Sequence, residues 1–190
     1  MKKKFFGTDG IRGKYGEFPI INSFFLNLAT SIKNSHSDVK NIIIGKDTRE
    51  SCNEIESALI TGFCREKIKC DLTGIVSTPI LSFITKSLNY DLGIMISASH
   101  NPFYDNGIKI FKKNGEKLTD EEEINIENNL NIKDEKSIGS DHTNHSSISI
   151  ENYENYLIKK FSNLSSYENK ILIDCANGSL SRIAPKIFNN

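Results

Sequence analysis

Short apolar runs alternate with segments of helical periodicity in the first two thirds of the sequence. The runs occupy residues 39–44, 70–76, 92–96 and 108–111. Between the first three, apolar residues recur three or four positions apart, which is the spacing of one helix face. Strands that alternate with helices form a sheet covered by helices on both faces. The sequence therefore predicts a three-layer α/β/α domain from the start of the chain to about residue 130.

Four positions carry signals that start a helix. Serine, threonine and asparagine can accept a hydrogen bond from a first-turn N–H, and a glutamate three residues later completes a capping box. The candidates are Asn22 or Ser23, the pair Ser51 and Glu54, Thr78 with Pro79, and the pair Thr119 and Glu122. The acidic run at residues 120–123 suits a helix N-terminus, so we interpret it as a solvated first turn and not as a metal site.

The chain becomes polar and low in complexity between residues 131 and 149, which is typical of a surface loop at a domain boundary. We therefore predict a first domain over residues 1–149 and the beginning of a second, similar α/β domain over residues 150–190. Two histidines in the polar stretch, His142 and His145, are interpreted as incidental and not as metal ligands.

Three elements are predicted after the boundary. They are a helix over residues 150–162, a strand over 171–173, and a short final helix that tolerates Pro185 only in its first turn. These elements are too few to bury a core. We therefore expect the second domain to be truncated.

The composition argues against several classes of protein. The 24 basic and 24 acidic residues balance, which disfavours a nucleic-acid partner. No run approaches the ~20 apolar residues of a membrane span, and the basic start is not followed by the apolar core of a signal peptide. We expect a globular protein of the cytoplasm that binds no membrane. Its cysteines lack Cys-x-x-Cys spacing, so we expect buried thiols and no zinc site.

A polar loop lies between the apolar runs at 92–96 and 108–111, and it contains Ser99, His100 and Asn101. Pro102 and the dipeptide Asn106-Gly107 predict two bends, which would hold Ser99 at an exposed turn. Phosphate is the natural ligand for such a loop, because its backbone N–H groups can surround an anion. We set aside a Ser-His hydrolase, since adjacent side chains point apart and the nucleophile-elbow glycines are absent. An ordinary polar turn remains an alternative.

Two other loops contain an aspartate and an arginine. Glycines surround Thr8, Asp9 and Arg12 in residues 7–13, which would let the backbone approach a phosphate, although a solvated hairpin fits equally. Asp47 and Arg49 follow the first apolar run, at the carboxyl end where open α/β sheets build sites. They either contact substrate or form an internal pair that steadies the loop.

Four motifs resemble a known family. Residues 96–109 resemble the active-site serine loop of the α-D-phosphohexomutase superfamily, and the continuation Phe-Tyr-Asp-Asn-Gly-Ile-Lys is similar to its phosphoglucosamine mutase branch. The other similar stretches, in the family's order, are residues 6–13, 45–49 and 174–178.

The resemblance implies interconversion of glucosamine 6-phosphate and glucosamine 1-phosphate, through a sugar 1,6-bisphosphate, on the route to UDP-N-acetylglucosamine. It implies that Ser99 is phosphorylated and holds Mg²⁺ through its phosphate. Lys109 and His100 match the general acid and base, with Lys109 preferred, and Arg12 lines the cleft. The residues expected to bind substrate or phosphate are Thr8, Asp9, Gly10, Asn101, Asp47 and Arg49.

The family's metal loop, sugar-specificity loop and C-terminal phosphate loop do not occur in this sequence. We therefore expect an incomplete chain that needs the remainder of the mutase and is inactive alone. Two alternatives remain: a phosphomannomutase or phosphoglucomutase, and a non-catalytic remnant that binds phosphate or a partner chain.

Overall fold

A five-stranded mixed sheet forms the centre of the molecule in the computed structural model, which describes residues 3–132, 148–162 and 170–188. The strand order is β1-β5-β4-β2-β3. Strand β2 pairs in parallel with β3 and β4, whereas β5 is antiparallel to both β4 and β1. The elements are β1 (Ile11–Lys14), α1 (Asn22–Ser35), β2 (Asn41–Lys46), α2 (Cys52–Arg65), β3 (Lys69–Ile75), α3 (Thr78–Ser87), β4 (Leu92–Ile96), β5 (Asp105–Lys112), α4 (Asp120–Asn128), α5 (Glu151–Phe161) and α6 (Ala184–Phe188).

Helices cover both faces of the sheet, which confirms the predicted three-layer α/β/α architecture. Helices α1, α2 and α4 contribute to one core, and α3 contributes to the other with α5 at its edge. Every residue of β4 is buried, as expected for a strand covered on both sides. Alternate residues of β2 separate the cores, because Ile42 and Ile44 enter the first and Ile43 the second.

The helix start signals are only partly correct. Thr119 and Glu122 form the predicted capping box. Ser51 is the N-cap residue of α2, as predicted, but the capping box with Glu54 does not form, and the Ser51 hydroxyl accepts a hydrogen bond from the Asn106 amide. Helix α1 has Ile21 as N-cap without a side-chain cap, so neither Asn22 nor Ser23 has that role. The N-cap of α3 is Ser77, one residue earlier than predicted.

The acidic run at the start of α4 is not uniformly solvated. Asp120 is exposed, but Glu123 is only 1% exposed and forms an ion pair with Lys3 at 2.8 Å. The interpretation of this run as a solvated first turn is therefore wrong for Glu123.

The last part of the chain differs from its prediction in one element. Helix α5 forms as predicted, and α6 has Pro185 in its first turn. Residues 171–173 are not a strand, and their side chains are exposed, because no neighbouring strand pairs with them among the described residues. The division into domains at residue 149 stays a prediction, and His142 and His145 lie outside the described residues.

Helix α5 packs on α3 through aromatic rings. The Phe83 ring lies 5.2 Å from that of Tyr153 and 4.8 Å from that of Tyr156. All four cysteines are free, and Cys52 and Cys70 are buried as predicted, whereas Cys64 and Cys175 are partly exposed. Among the described residues, no helix combines the length and the apolar character that a bilayer crossing requires.

Candidate active site

The carboxyl ends of the parallel strands β2, β3 and β4 meet at one edge of the sheet, and the loops that follow them surround a cavity of about 950 Å³. Sites in open α/β sheets form at this edge. Five residues of the predicted site line the cavity, namely Ser99, His100, Asn101, Asp47 and Arg49. Gly178 and Ser179, from the last of the four motifs, contribute to its wall.

Ser99 has a backbone conformation that serine rarely adopts, with a φ of 58°. Such a conformation persists only where surrounding contacts fix it, and it is enriched at functional sites. The Ser99 N–H donates to the Ser97 hydroxyl at 2.9 Å, and the Ser99 carbonyl accepts from the Arg49 guanidinium at 2.9 Å. The loop therefore holds Ser99 at a bend, as predicted, but by side-chain contacts on both sides of the residue.

One of the two predicted bends is wrong. Asn106 and Gly107 lie inside β5, which begins three residues before the predicted apolar run. Asn106 is fully buried, and its amide donates to the Ser51 hydroxyl at 2.9 Å and to the Cys52 thiol at 3.3 Å. Asn106 thus connects β5 to the start of α2. The Asn106-Gly107 dipeptide, which was predicted to form a turn, is part of a strand.

Arg49 clamps the serine loop through its backbone. Its guanidinium donates to four carbonyl groups of that loop, those of Ser99, Asn101, Pro102 and Asp105. Its Nε donates to the Asp47 carboxylate at 3.1 Å. The side chain is only 10% exposed. Arg49 therefore donates its hydrogen bonds to fixed protein groups. This supports the alternative in which Asp47 and Arg49 form an internal pair that steadies the loop.

Asp47 pairs with Arg49 and also accepts hydrogen bonds from its neighbours. Its carboxylate accepts from the Arg49 N–H at 3.0 Å, from the Ser97 hydroxyl at 2.7 Å and from the Cys52 thiol at 3.2 Å. Burial raises the pKa of Cys52 to about 12, so the thiol stays protonated and can donate. Substrate binding by Asp47 and Arg49 stays a prediction.

The glycine-rich N-terminal turn packs directly on β5. The Gly7 N–H donates to the Gly10 carbonyl at 2.8 Å, and Gly10 has a φ of +86°. A Cβ atom on Gly10 would lie 2.1 Å from the Ile108 carbonyl oxygen, so only glycine fits there. The Thr8 carbonyl accepts a hydrogen bond from the Lys117 ammonium. The turn therefore brings Asp9 over the strand that carries Lys109.

Asp9 joins two predicted site residues, because its Oδ2 contacts both the Arg12 guanidinium and the Lys109 ammonium, the latter at 2.7 Å. Burial alone would raise the pKa of Asp9. The Lys109 hydrogen bond and the charges of Lys109, Arg12 and Lys117 outweigh burial and hold that pKa below its ordinary value. An ionised carboxylate repels phosphate. The substrate or phosphate contact expected of Asp9 therefore stays a prediction.

The register of the sheet relates this cluster to the serine loop. Arg12 is paired with Gly107, and the Gly107 carbonyl accepts from the Ser97 N–H at 2.9 Å. Neighbouring strands are about 4.8 Å apart, so the Arg12 and Ser97 backbones are roughly 10 Å apart. Lys109 lies two residues from Gly107 on the same sheet face as Arg12. Within the described residues, no hydrogen bond links either cation to the Ser99 side chain.

Sequence reasoning missed two residues of this arrangement. Ser97 connects Asp47 to the Ser99 backbone, and Lys117 fixes the N-terminal turn from outside every motif. The position of Ser97 inside the polar loop was an available signal, but nothing in the sequence around Lys117 indicates its contact with Thr8.

The residues around Ser99 do not by themselves form a magnesium site. In the part of the chain that the structure describes, no group of three or more His, Cys, Asp or Glu side chains is placed to hold a metal. Mg²⁺ takes six oxygen ligands, of which a phosphate on Ser99 would supply one or two. The expectation of Mg²⁺ therefore stays a prediction that needs ligands from outside these residues.

Comparisons with known proteins agree with the motifs. Residues 3–137 match a family model described as phosphoglucomutase/phosphomannomutase, alpha/beta/alpha domain I. A phosphoglucosamine mutase 2 of Shewanella amazonensis is 50% identical over 129 residues, which are 67% of this chain and 28% of that protein. A phosphoglucosamine mutase of Coxiella burnetii is 42% identical over 199 residues, which span all of this chain and 44% of that protein.

Solved structures show the same fold. A putative phosphomannomutase from Thermus thermophilus superposes with a TM-score of 0.69 at 26% identity, covering 84% of this chain and 36% of that one. A phosphoglucomutase/phosphomannomutase family protein from Burkholderia thailandensis gives a TM-score of 0.74 at 19% identity, covering 97% and 41%. The chain spans less than half the length of each of these relatives.

Proposed function

The chain belongs to the phosphoglucomutase/phosphomannomutase family, and on that premise we propose that it is the phosphoserine-bearing part of a phosphoglucosamine mutase. The observation that carries the proposal is the left-handed backbone conformation of Ser99. Ser99 lines a large cavity, and hydrogen bonds to Ser97 and Arg49 hold its backbone on both sides. Phosphoryl transfer depends mainly on positioning and charge stabilisation. A rigid loop is the feature that such a reaction needs.

The proposed reaction consists of two phosphoryl transfers, which move two different phosphoryl groups. In the first half, the bond between phosphorus and the Ser99 oxygen breaks as a bond forms between phosphorus and the C1 hydroxyl oxygen of glucosamine 6-phosphate. The hydroxyl loses its proton to a base, and the departing Ser99 oxygen gains one. In the second half, the bond between phosphorus and the C6 oxygen of the bisphosphate breaks as a bond forms between that phosphorus and the Ser99 oxygen. The Ser99 hydroxyl loses its proton and the C6 oxygen gains one, which leaves glucosamine 1-phosphate and a phosphorylated enzyme.

The charges around Lys109 suggest how the proton roles divide. The Lys109 Nζ lies 2.7 Å from the Asp9 carboxylate, and a nitrogen donor at this position suits protonation of the departing Ser99 oxygen. His100 lines the cavity beside Ser99 and is the candidate acceptor. Arg12 supplies a planar guanidinium for the equatorial phosphate oxygens. In this account Asp9 holds the two cations in place until phosphate competes for them.

The rest of the reaction requires residues beyond this chain. The proposed Mg²⁺ would supply charge neutralisation at the phosphoryl group, and most of its ligands are absent from the described residues. The chain also spans under half of its curated relatives. We therefore propose that the remainder of a mutase chain completes the site, that a phosphosugar is the substrate, and that the isolated chain shows no detectable turnover.

The sugar is the least constrained part of the proposal. The curated relatives that are 40–50% identical are named phosphoglucosamine mutases, which favours glucosamine over mannose or glucose. The structural relative named a putative phosphomannomutase is 26% identical. A non-catalytic remnant is the runner-up, because the residues that the structure describes contain no group of His, Cys, Asp or Glu side chains placed to hold a metal.

Turnover by the complete protein from its natural source tests the proposal. We expect conversion of glucosamine 6-phosphate to be faster than that of mannose 6-phosphate or glucose 6-phosphate. Ser99→Ala should abolish turnover, whereas Ser57→Ala, at an exposed serine on α2, should leave it unchanged. Full turnover by Ser99→Ala would refute the phosphoserine, and a preference for mannose phosphate would refute the assigned sugar.

A further inference from the structure

The segment that precedes the N-terminal turn is held by one carboxylate. Residues 3–6 belong to no strand or helix. The backbone N–H groups of Lys4, Phe5 and Phe6 all donate to the Glu127 carboxylate on α4, at 2.6, 2.7 and 2.7 Å. Consecutive N–H groups that converge in this way form an anion-binding concavity. Glu127 therefore gives this segment the hydrogen bonds that a neighbouring strand would otherwise supply.

A second carboxylate lies one helical turn earlier on the same face of α4. Glu123 pairs with the Lys3 ammonium at 2.8 Å and lies 4.0 Å from the Lys117 ammonium. Lys117 in turn donates to the Thr8 carbonyl. Helix α4 thus contacts the chain on both sides of Gly7, directly through Glu127 and indirectly through Glu123.

The contacts of Glu127 lie close in the chain to Asp9, which pairs with the site cations Arg12 and Lys109. Three residues separate Phe6, whose N–H is bound by Glu127, from Gly10, which closes the turn against β5. Asp9 lies within that turn and holds both Arg12 and Lys109. We propose that Glu127 is a positioning residue of the candidate active site, which fixes the turn at residues 7–10 so that Asp9 keeps Lys109 in register with the serine loop.

Aromatic packing is the competing explanation for the order of this segment. Phe6 is buried in the core, and the Phe5 ring packs edge to face against Phe18 and Phe24 at 5.6 and 5.3 Å. Ring burial is non-directional and fixes only how deeply the segment lies. Hydrogen bonds are directional and fix the orientation of the peptide planes that lead into the turn. If the rings sufficed, removing the Glu127 charge would leave Lys109 unaffected.

The reactivity of Lys109 tests the proposal in this chain without any assay of turnover. The proposal rests on the proposed function for its significance, but a mutase that fails to turn over does not alter this readout. Each lysine is acetylated with N-hydroxysuccinimidyl acetate, and its rate is measured by peptide mass spectrometry. The variants are Glu127→Gln, which keeps size but removes charge, and the control Glu121→Gln on the exposed side of α4. Lys46, 16% exposed and paired with Glu56, reports on global unfolding.

We expect Glu127→Gln to accelerate acetylation of Lys109 about tenfold, because the charge-assisted bonds that anchor the turn are weakened. Lys46 should keep its rate in that variant, and Glu121→Gln should alter neither lysine. An unchanged Lys109 rate in Glu127→Gln would overturn the proposal in favour of aromatic anchoring. Parallel acceleration of Lys46 would also overturn it, since Glu127 would then support the fold as a whole.

Discussion

Two loops of this molecule contain the same pair of residue types and use them differently. In the loop after β2, Arg49 donates to four backbone carbonyls and to Asp47, and only 10% of its side chain is exposed. The N-terminal turn carries Asp9, whose carboxylate is 47% exposed and is shared by Arg12 of β1 and Lys109 of β5. The buried Nε of Arg12 has no partner among the described residues.

The difference indicates which cation supports the shape of a loop and which cations we expect to bind a ligand. Carbonyl groups of a loop cannot leave, so the Arg49 guanidinium is committed to the shape of the serine loop. A half-exposed carboxylate can be displaced by another anion, so we expect Arg12 and Lys109 to exchange Asp9 for a phosphate. Residue type alone does not distinguish the two roles, because both sequences offer an aspartate and an arginine close together in a glycine-containing loop.

The largest expected effect comes from the committed arginine. Arg49→Lys keeps the charge but loses the planar fork that reaches several carbonyls, so we expect the free energy of unfolding to fall by about 2 to 3 kcal/mol. Urea unfolding of the isolated chain measures it. Arg182→Lys, at an exposed arginine, is the matched control and should change stability by less than about 0.5 kcal/mol. Equal stability of both variants would mean that Arg49 is free to bind substrate.

A smaller loss of stability tests the shape of the N-terminal turn without changing its charges. Gly10→Ala places a Cβ 2.1 Å from the Ile108 carbonyl oxygen at a positive φ, and we expect a loss of about 2 kcal/mol. Gly16→Ala also has a positive φ, but its Cβ would meet nothing within 4 Å. The difference between the two variants in urea unfolding isolates the steric contact, and no difference would show that the turn does not pack tightly on β5.

A change in ligand affinity tests whether Asp9 competes with phosphate. Asp9→Asn removes the carboxylate that occupies Arg12 and Lys109, so we expect inorganic phosphate to bind about fivefold tighter at low salt. Titration followed by NMR shifts of the Lys109 side chain measures the affinity. Asp38→Asn removes the same charge from an exposed position and is the control. An equal gain in phosphate affinity in both variants would mean that only net charge matters. Weaker phosphate binding by Asp9→Asn would show that Asp9 does not compete with phosphate.

The smallest expected effect is a dependence on pH. The pKa of Asp9 is lower in the folded chain than its ordinary value of 3.8, so its ion pairs stabilise the fold above that value and are lost as pH falls through the folded-state pKa. Because Asp9 is half exposed, we expect a contribution below about 1 kcal/mol. The stability difference between the natural chain and Asp9→Asn should be constant from about pH 5 to 7 and should shrink below about pH 4. A difference that grows on acidification would refute the ion pairs.

Most of the sheet was predictable, because its strands are apolar runs and its helices have strong periodicity. The failures have physical causes in long-range contacts. Ser51 is the N-cap residue of α2, yet its capping box with Glu54 does not form, and its hydroxyl accepts a hydrogen bond from Asn106 on β5. Asn106-Gly107 has the pattern of a turn, yet the glycine is needed because β1 passes too close for a Cβ, which would lie 2.1 Å from the Ile11 carbonyl oxygen. Residues 171–173 have the pattern of a strand but no partner among the described residues.

The sequence predicted which residues belong to the site better than it predicted the role of each residue. Resemblance selected Ser99, Asp9, Arg12 and Lys109, and the structure brings the last three together. It could not show that Asp9 binds the cations, because that follows from the register of β1 and β5. Glu127 carried no signal, since a glutamate on an acidic helix is ordinary and its N–H partners lie more than a hundred residues away.

The central claim is that this loop holds Ser99 as the residue that carries the phosphoryl group. Intact mass of the protein purified from its natural source, with fragmentation to locate any phosphate, tests it most directly. We expect a phosphate on Ser99 and none on Ser97, whose hydroxyl donates a hydrogen bond to Asp47. Phosphate on another residue, or an unmodified Ser99 in a preparation that turns over glucosamine 6-phosphate, would contradict it.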